Sequence, residues 1–475
     1  MRLHVTALVL ALASAGCASV PPVADISPGA LRSHVSFLAS DLLEGRGTPS
    51  RGQDLAVEYI AAQFRGAGLE PAGDDGYFQT ANWQYAERKE GDVVLNVSAG
   101  GATITVPPGG ATGNFLEPLI LGATPAVFMD WRDALENNEA ATGKVLVVPA
   151  APVPGAARVL QQKLKGKPAL VLLIDREKRH GAGTGGWLID PEQAAVTGAA
   201  PVLVLHAPDA AAVLEKGGAL VSARVAAPSV RSVKLRNVAG VLRGSDPALK
   251  NTYVLLTAHH DHVGVRNGEI YNGANDDASG VGSVIAVADA LAKRKERPRR
   301  SIVFMTYFGE ELGMLGSKYY ARHPLFPLKD TVANINLEQT GRTDDSEGAQ
   351  VNSLGMTGFD FSTVSDMLRK AAGESGIRLW KHASYSDQFF GRADNQSLAD
   401  VGVPAHTLSV AYAFPDYHGK DDTWDKLDYD NMARVTRMLA LGVYDIANDS
   451  ARPDWTGAPK AAGYAAKGRA LKAAP

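Results

Sequence analysis

The stretch YVLLTAHHDHVG, residues 253–264, carries most of the information about the fold of this chain. An apolar run of strand length ends in three histidines and one aspartate, although the 475 residues include only 11 histidines. One histidine at such a place is usually a loop residue or is hydrogen-bonded to the backbone. Three at the end of a hydrophobic strand indicate a polar site, to which other parts of the chain must contribute.

Three more apolar runs of strand length follow: SIVFMTYF (301–308), TVANINL (331–337) and PAHTLSV (404–410). They alternate with stretches of helical spacing, such as residues 279–294. Alternation of this kind predicts an α/β fold with a mixed, mostly parallel sheet sandwiched by helices. In such sheets ligands bind beyond the carboxyl ends of the strands.

Acidic and imidazole side chains follow these runs or open the next helix. They are His259, Asp261, Asp276, Asp277, Glu310, Glu311, Glu338 and His418. So many carboxylates at one edge would repel each other unless cations bind between them. Two histidines with several carboxylates form a nitrogen and oxygen ligand set that suits zinc best, with manganese or cobalt as possible substitutes.

The number of candidate ligands exceeds the needs of one catalytic zinc ion, which usually takes three protein ligands and a water. Two ions that share one carboxylate would use five ligands, and such a pair can activate a water. The five candidates, with Glu310 to spare, are His259, Asp276, Glu311, Glu338 and His418. These residues alone do not decide which of Glu310 and Glu311 is a ligand and which is a base.

Side-chain alternation gives the histidine cluster an internal order. His259 and Asp261 point to one side of the extended backbone, so we expect Asp261 to orient the imidazole of His259. His260 and His262 point to the other side, where we expect them to line a pocket or to be structural. His262 could still touch a substrate from there.

Composition and the N-terminus suggest where the protein acts. Hydrophobic residues at 45% and charged residues at 21% are typical of a soluble globular chain, and a net charge of −3 gives no reason to expect nucleic acid as a partner. Residues 1–17 read as a secretory signal peptide. The only cysteine, Cys17, stands in a stretch that resembles a bacterial lipobox, which predicts a lipidated protein of the bacterial envelope; a periplasmic or secreted protein is the alternative.

Five motifs together resemble the co-catalytic di-zinc exopeptidase family, which includes bacterial leucyl-type aminopeptidases, glutamate carboxypeptidase II and the metal-free transferrin receptor. In order along the chain, they are RNVAGVLRGSDPALKNTYVLLTAHHDHVG, NGANDDASGVG, FGEELGMLGS, NINLEQTGR and DYHGKDDTWDKLD. The resemblance implies that His259, Asp276 and Glu338 bind one zinc ion, and that Asp276, Glu311 and His418 bind the other. It further implies that Glu310 is the general base, that Tyr417 helps to hold the oxyanion, and that the substrates are peptides.

The resemblance also suggests how the chain is organised. After a linker at 18–28, residues 29–90 and 233–450 would form the peptidase domain. Residues 91–232 would be an inserted β-rich domain that resembles a protease-associated domain, and residues 451–475 would be a flexible tail.

Two departures from the family pattern stand out. Glu338 occupies a position where many relatives have aspartate, and Ala393, Asp394 and Asn395 replace a frequent Ser-Asp-His. The leading hypothesis is a zinc aminopeptidase. A carboxypeptidase, with Arg342 or Arg392 binding the substrate carboxylate, a glutaminyl cyclase and a non-catalytic binding protein remain alternatives. The oligomeric state and the preferred residue at the scissile bond are not predicted.

Overall fold

The computed structural model describes residues 25–150, 156–176, 186–193 and 199–473. The predicted signal peptide and Cys17 lie outside these residues and stay predictions. The chain divides into two compact units. One comprises the described residues through Ala81 together with Leu235 onward, and the other runs from Asn82 to Lys234. We refer to them below as the first and second units.

The central sheet of the first unit has the predicted mixed, mostly parallel arrangement. The strand Tyr253–His259 lies between two parallel neighbours, Ser301–Tyr307 and Thr331–Leu337. The next strand, Ala405–Ser409, is also parallel, whereas Ser229–Leu242 pairs antiparallel with the far side of Ser301–Tyr307. Seven of its strands are, in spatial order, Arg378–Trp380, Ser353–Met356, Ala405–Ser409, Thr331–Leu337, Tyr253–His259, Ser301–Tyr307 and Ser229–Leu242.

Helices cover both faces of this sheet, as the near-continuous apolar strands predict. Leu256 packs into a cluster with Leu31, Ile60 and Val284, while its neighbour Leu255 packs into a separate cluster on the other face. Among the described helices, none is both long and apolar enough to cross a bilayer. The helices of this unit are Pro28–Leu38, Arg51–Gly66, Ser279–Ala292, Leu315–Arg322, Val364–Ser375, Tyr385–Gln388, Asn395–Ala399, Tyr429–Asn448 and Ala462–Ala473.

The second unit is built around its own sheet, in which four consecutive strands are parallel. In spatial order the sheet contains Ala102–Thr105, Val93–Ala99, Leu220–Val225, Leu119–Phe128, Val145–Pro149, Leu170–Ile174, Val202–Leu205 and Ala111–Thr112. Its described helices are Trp131–Glu136, Ala156–Lys163 and Pro208–Glu215. Its assignment as a protease-associated domain stays a prediction.

The C-terminal segment differs from the expected flexible tail. It contains the helix Ala462–Ala473 and packs on the first unit through Trp455 and Ala461, both of which are buried. Trp455 donates its indole N–H to the carbonyl of Gly402 at 2.9 Å and stacks on Tyr464. A few well-placed aromatic and small residues therefore suffice to dock a segment that shows little apolar periodicity.

Candidate metal centre

Asp276 is the centre of the predicted ligand set. One of its carboxylate oxygens, Oδ1, lies 3.2 Å from Nε2 of His259, and the other, Oδ2, lies 3.1 Å from Nε2 of His418. His259 ends the strand Tyr253–His259, Asp276 precedes the helix Ser279–Ala292, and His418 comes from a distant loop. A carboxylate with one oxygen facing each of two imidazoles has the arrangement that a bridging ligand requires.

Glu311 extends this group toward a residue that was not among the predicted ligands. Its Oε2 lies 3.2 Å from Nε2 of His418, and its Oε1 lies 2.8 Å from Nδ1 of His262. Ligand atoms of His262, Asp276 and Glu311 all lie within 4.8 Å of one another. His262 was expected to line a pocket or to be structural; instead its buried ring belongs to the centre. Its position three residues after His259 was the only signal in the sequence.

Glu338 and Glu310 complete the acidic edge. Glu338 follows the strand Thr331–Leu337, and its Oε1 accepts a hydrogen bond of 3.1 Å from Nδ2 of Asn336. Burial raises the pKa of Glu338, and the nearby carboxylates of Asp277 and Asp276 add to this effect against the opposing charge of His259.

Burial also raises the pKa of Glu310, and Glu338 and Asp394 act in the same direction. A carboxyl group that gains affinity for a proton in this way is suited to take one from a water.

Asp261 has a different main contact from the one predicted. Its Oδ1 is 3.7 Å from Nδ1 of His259, beyond hydrogen-bond distance, and that nitrogen lies closer to the backbone carbonyl of Asp261, at 3.2 Å. The carboxylate instead accepts the backbone N–H groups of Glu310 and Glu311, at 3.0 and 3.4 Å. Asp261 thus fixes the loop that carries both glutamates.

Tyr417 is the most exposed of the predicted site residues, with 48% of its surface accessible. Its ring stacks on His418, with 4.0 Å between ring centroids. His418 itself adopts a left-handed backbone conformation, with φ at 52°. Non-glycine residues are uncommon in this region and cluster at functional sites.

Three buried side chains for which the sequence predicted neither a ligand role nor a catalytic role hold the ligand loops in place. Asp422 accepts the backbone N–H groups of Asn275 and Asp276, and Asn275 accepts those of Gly341 and Arg342. Asp277 accepts the N–H groups of His259, Gly280 and Gln339. These residues stand within the quoted motifs, but nothing in a linear sequence separates an acceptor for backbone N–H groups from a metal ligand.

Arg46 is a fourth such residue, and it comes from a segment far from the motifs. The helix Pro28–Leu38 is followed by a turn in which Arg46 has a φ of 52°. Its buried guanidinium donates to the backbone carbonyls of Leu38, His260, Asn272 and Gly273 at 2.5–2.9 Å. One cation thereby ties the loop after His259 to the loop before Asp276.

The electrostatics of the centre call for positive charge. Burial alone would lower the pKa of His418, but its hydrogen bonds to Asp276 and Glu311 outweigh burial and raise that pKa to about 10. Burial and Asp276 act to raise the pKa of Glu311, yet the contacts with His262 and His418 prevail and lower it to about 2. Carboxylates that hold a proton this strongly on the imidazole of His418 would hold a divalent cation in the same place.

The donor set therefore fits zinc. It combines imidazole nitrogens with carboxylate oxygens, the ligands that zinc takes in hydrolases. Within the described part of the chain, Nε2 of buried His262 has no hydrogen-bond partner, and its Nδ1 faces the carboxylate of Glu311. Buried polar atoms are rarely left without one, so a bound ion is the natural partner at this position.

Arg342 cannot serve as the free cation that a carboxypeptidase needs. Its guanidinium donates to Asp344 and Asp416 at 2.7 Å each, so its charge is already paired. Arg392 lies over the ring of Phe389, 5.0 Å from the centroid, and is exposed.

Comparison with known proteins agrees with this architecture. Leucine aminopeptidase 1 of Trichoderma harzianum is 27% identical over 212 residues, which cover 42% of this chain and 52% of that protein. The chain thus spans about half the length of this relative.

Two solved structures share the fold. The aminopeptidase from Aneurinibacillus sp. strain AM-1 superposes with a TM-score of 0.63 at 20% identity and covers 89% of this chain and 95% of its own. BSAP, a zinc aminopeptidase from Bacillus subtilis, gives a TM-score of 0.58 at 18% identity, with 90% and 97% covered. Residues 237–443 match the model of Peptidase family M28. This stretch, which contains all the candidate ligands, is accordingly a peptidase family M28 domain.

Proposed function

We propose that the chain is a zinc-dependent exopeptidase, specifically an aminopeptidase that removes N-terminal residues from peptides. The observation that carries this proposal is the position of Asp276 between His259 and His418, with one carboxylate oxygen toward each imidazole. The family match and the zinc aminopeptidase fold support it. A fold alone does not establish an activity, so the proposal depends on the site.

We propose two zinc sites that share Asp276. His259 and Glu338 would complete one, Glu311 and His418 would complete the other, and His262 lies close enough to join the second. Manganese or cobalt could replace zinc in vitro. When bound, the ions would lower the pKa of a water and polarise the peptide carbonyl.

The side chains around this pair have separate tasks. Glu310 takes the proton of the attacking water on its carboxylate and returns it to the leaving amine. The phenol of Tyr417 donates a hydrogen bond to the carbonyl oxygen as negative charge develops there. Asp261 holds Glu310 and Glu311 in register through their backbone N–H groups.

The expected location is the bacterial cell envelope, through the signal peptide and a lipidated Cys17. Fractionation of cells that express the wild type or Cys17→Ser tests this: the wild type should sediment with membranes and the variant should be released. Equal sedimentation of the two proteins would exclude lipid anchoring at Cys17.

The activity is tested with a panel of aminoacyl anilides and N-blocked dipeptides, before and after chelation. We expect hydrolysis of the anilides, loss to background when zinc is removed, and recovery on zinc addition. Hydrolysis of the blocked dipeptides alone would favour a carboxypeptidase. Absence of bound zinc, together with no hydrolysis after zinc is added, would favour a binding protein.

A further inference from the structure

A row of buried polar side chains crosses the central sheet two residues before the strand ends that carry the proposed ligands. Thr257, Asn336 and Thr407 are paired in register on three adjacent parallel strands. Each is at most 2% exposed. Thr257 lies two positions before His259, and Asn336 lies two positions before Glu338. Because side chains alternate along a strand, this row points to the same face as the two proposed ligands.

The hydrogen bonds of this row can be assigned without ambiguity. The amide nitrogen of Asn336 donates to Glu338 Oε1 at 3.1 Å and to Thr407 Oγ1 at 3.0 Å, and its oxygen accepts from Thr257 at 2.8 Å. The direction of the row is fixed at its far end, where the amide nitrogen of Asn395 donates to the backbone carbonyl of Phe390, which can only accept. The oxygen Oδ1 of Asn395 therefore faces Thr407 and accepts a hydrogen bond from its hydroxyl group at 2.8 Å. Thr407 in turn accepts from the amide nitrogen of Asn336, which fixes the orientation of that amide.

We propose that Asn336, held by Thr407 and Asn395, is a positioning residue for Glu338. The Asn336 amide donates to Oε1 of Glu338, so Oε2 would be the oxygen left to hold a zinc ion. This inference rests on the proposed role of Glu338 as a zinc ligand. Partners that orient a ligand typically contribute 10–100-fold to metal affinity.

The same contacts connect the two departures from the family pattern. Glutamate has one more rotatable bond than aspartate, and the hydrogen bond from Asn336 restrains that freedom. Asn395 is fully buried and ends the hydrogen-bonded row, so it supports Glu338 rather than lining a substrate cleft. Glu338 and Asn395, which are 57 positions apart in the sequence, thus belong to the same row of hydrogen bonds.

The test is Thr407→Val, which has nearly the same shape and removes only the hydroxyl group. Zinc bound per chain is measured against buffered free zinc, and the fold of the chelated protein is checked by near-UV circular dichroism. Thr407→Ser keeps the hydroxyl and should behave as the wild type. Thr436→Val is the matched control, because it also removes a buried threonine hydroxyl. That hydroxyl donates to the backbone carbonyl of Met432 in the same helix and is hydrogen-bonded to the hydroxyl of Ser283.

We expect Thr407→Val to weaken one of two zinc equivalents by about tenfold, and Thr436→Val to weaken neither. In a Glu338→Gln background, Thr407→Val should add nothing further. Unchanged zinc affinity in Thr407→Val, or an equal loss in both backgrounds, would overturn the inference. If Thr407→Val does not fold, Asn395→Ala removes the amide oxygen that accepts from Thr407, outside the sheet; weakening of at least twofold supports the inference, and none overturns it.

The two proposals fail in different ways. A wild-type protein that binds no zinc and hydrolyses no anilide would refute the proposed function. A wild-type protein that binds two zinc ions and hydrolyses anilides, beside a Thr407→Val variant with the same zinc isotherm, would refute only the positioning role.

Discussion

In the second unit, the parallel strands Leu170–Ile174 and Val202–Leu205 are followed directly by Asp175 and His206. Both are buried, and Nδ1 of His206 lies 3.3 Å from the carbonyl and 3.9 Å from the carboxylate of Asp175. In the first unit, the corresponding strand ends carry more carboxylates than imidazoles.

Acidic and imidazole residues at strand ends therefore do not make a metal site by themselves. Where one acid meets one base, they can balance each other. Where Asp276, Glu310, Glu311 and Glu338 meet fewer imidazoles, the deficit of positive charge calls for a cation.

Glu310→Gln and His206→Asn compare the strand ends of the first and second units, and we expect the first variant to show the larger loss of activity. Glu310→Gln should retain its zinc and lose about 10²–10⁴-fold in turnover, because the amide cannot accept the proton of the water. His206→Asn, at the strand end of the second unit, should change neither turnover nor zinc content by more than about twofold, because we place no chemistry there. Anilide kinetics and zinc content of both variants check this. Full activity in Glu310→Gln would remove the base assignment.

Two buried arginines allow a second comparison between the units. Arg88 of the second unit, like Arg46 of the first, donates to backbone carbonyls, those of Ala226, Gly113 and Phe115. Arg46→Met leaves four buried carbonyls without a donor, which should cost about 3 kcal/mol or more of unfolding free energy. Arg88→Met should cost less, because its three carbonyls are only partly buried and water can replace the donor.

Only Arg46→Met should also weaken zinc binding, by about tenfold, because Arg46 joins the loops that carry His259 and Asp276. Thermal unfolding and zinc isotherms of both variants separate the two effects. Equal zinc affinity in Arg46→Met and Arg88→Met would show that the hydrogen bonds of Arg46 do not act on the metal centre.

A smaller effect concerns a buried histidine inside the sheet of the first unit, away from its acidic edge. Burial lowers the pKa of His406 to about 4, despite the opposing contact with the carbonyl of Thr357. Its Nδ1 donates to that carbonyl at 2.8 Å, and its Nε2 accepts from Ser362 at 2.5 Å. The native ring is therefore neutral, unlike the imidazoles that face carboxylates.

The direction of the pH dependence of stability is set by the unfolded state, in which histidine has a pKa near 6.5 and binds more protons than native His406. Stability should fall as the pH drops from 6.5 toward 4, by about 2 kcal/mol at pH 5. Urea unfolding of the chelated wild type and His406→Gln at pH 7 and pH 5 measures it. An equal loss in both proteins would mean that His406 does not titrate in this way.

The fold and the ligand types followed from local rules. The strands Tyr253–His259, Ser301–Tyr307 and Thr331–Leu337 are continuous apolar runs of the predicted length, and parallel strands must end at a common edge. The site residues at these ends could be predicted because their placement needs only the strand boundaries.

The supporting residues could not be predicted because each acts over a long sequence separation. Arg46 bonds a carbonyl 214 positions away, and Asp422 bonds an N–H group 147 positions away. The Asn336 contact with Thr407 depends on strand register. The C-terminal helix was missed because Trp455 finds its partner only in the folded protein.

The α/β class, the strand ends and the excess of carboxylates that calls for a cation can all be read from the chain without its folded form. Those properties depend on residue type and spacing along one strand or helix. The folded chain was needed to see that Asp276 faces two imidazoles, that His262 joins them, and that Asp261 holds a loop. Each of these depends on distances between segments remote in the chain, which are set by packing and hydrogen bonding of the whole unit.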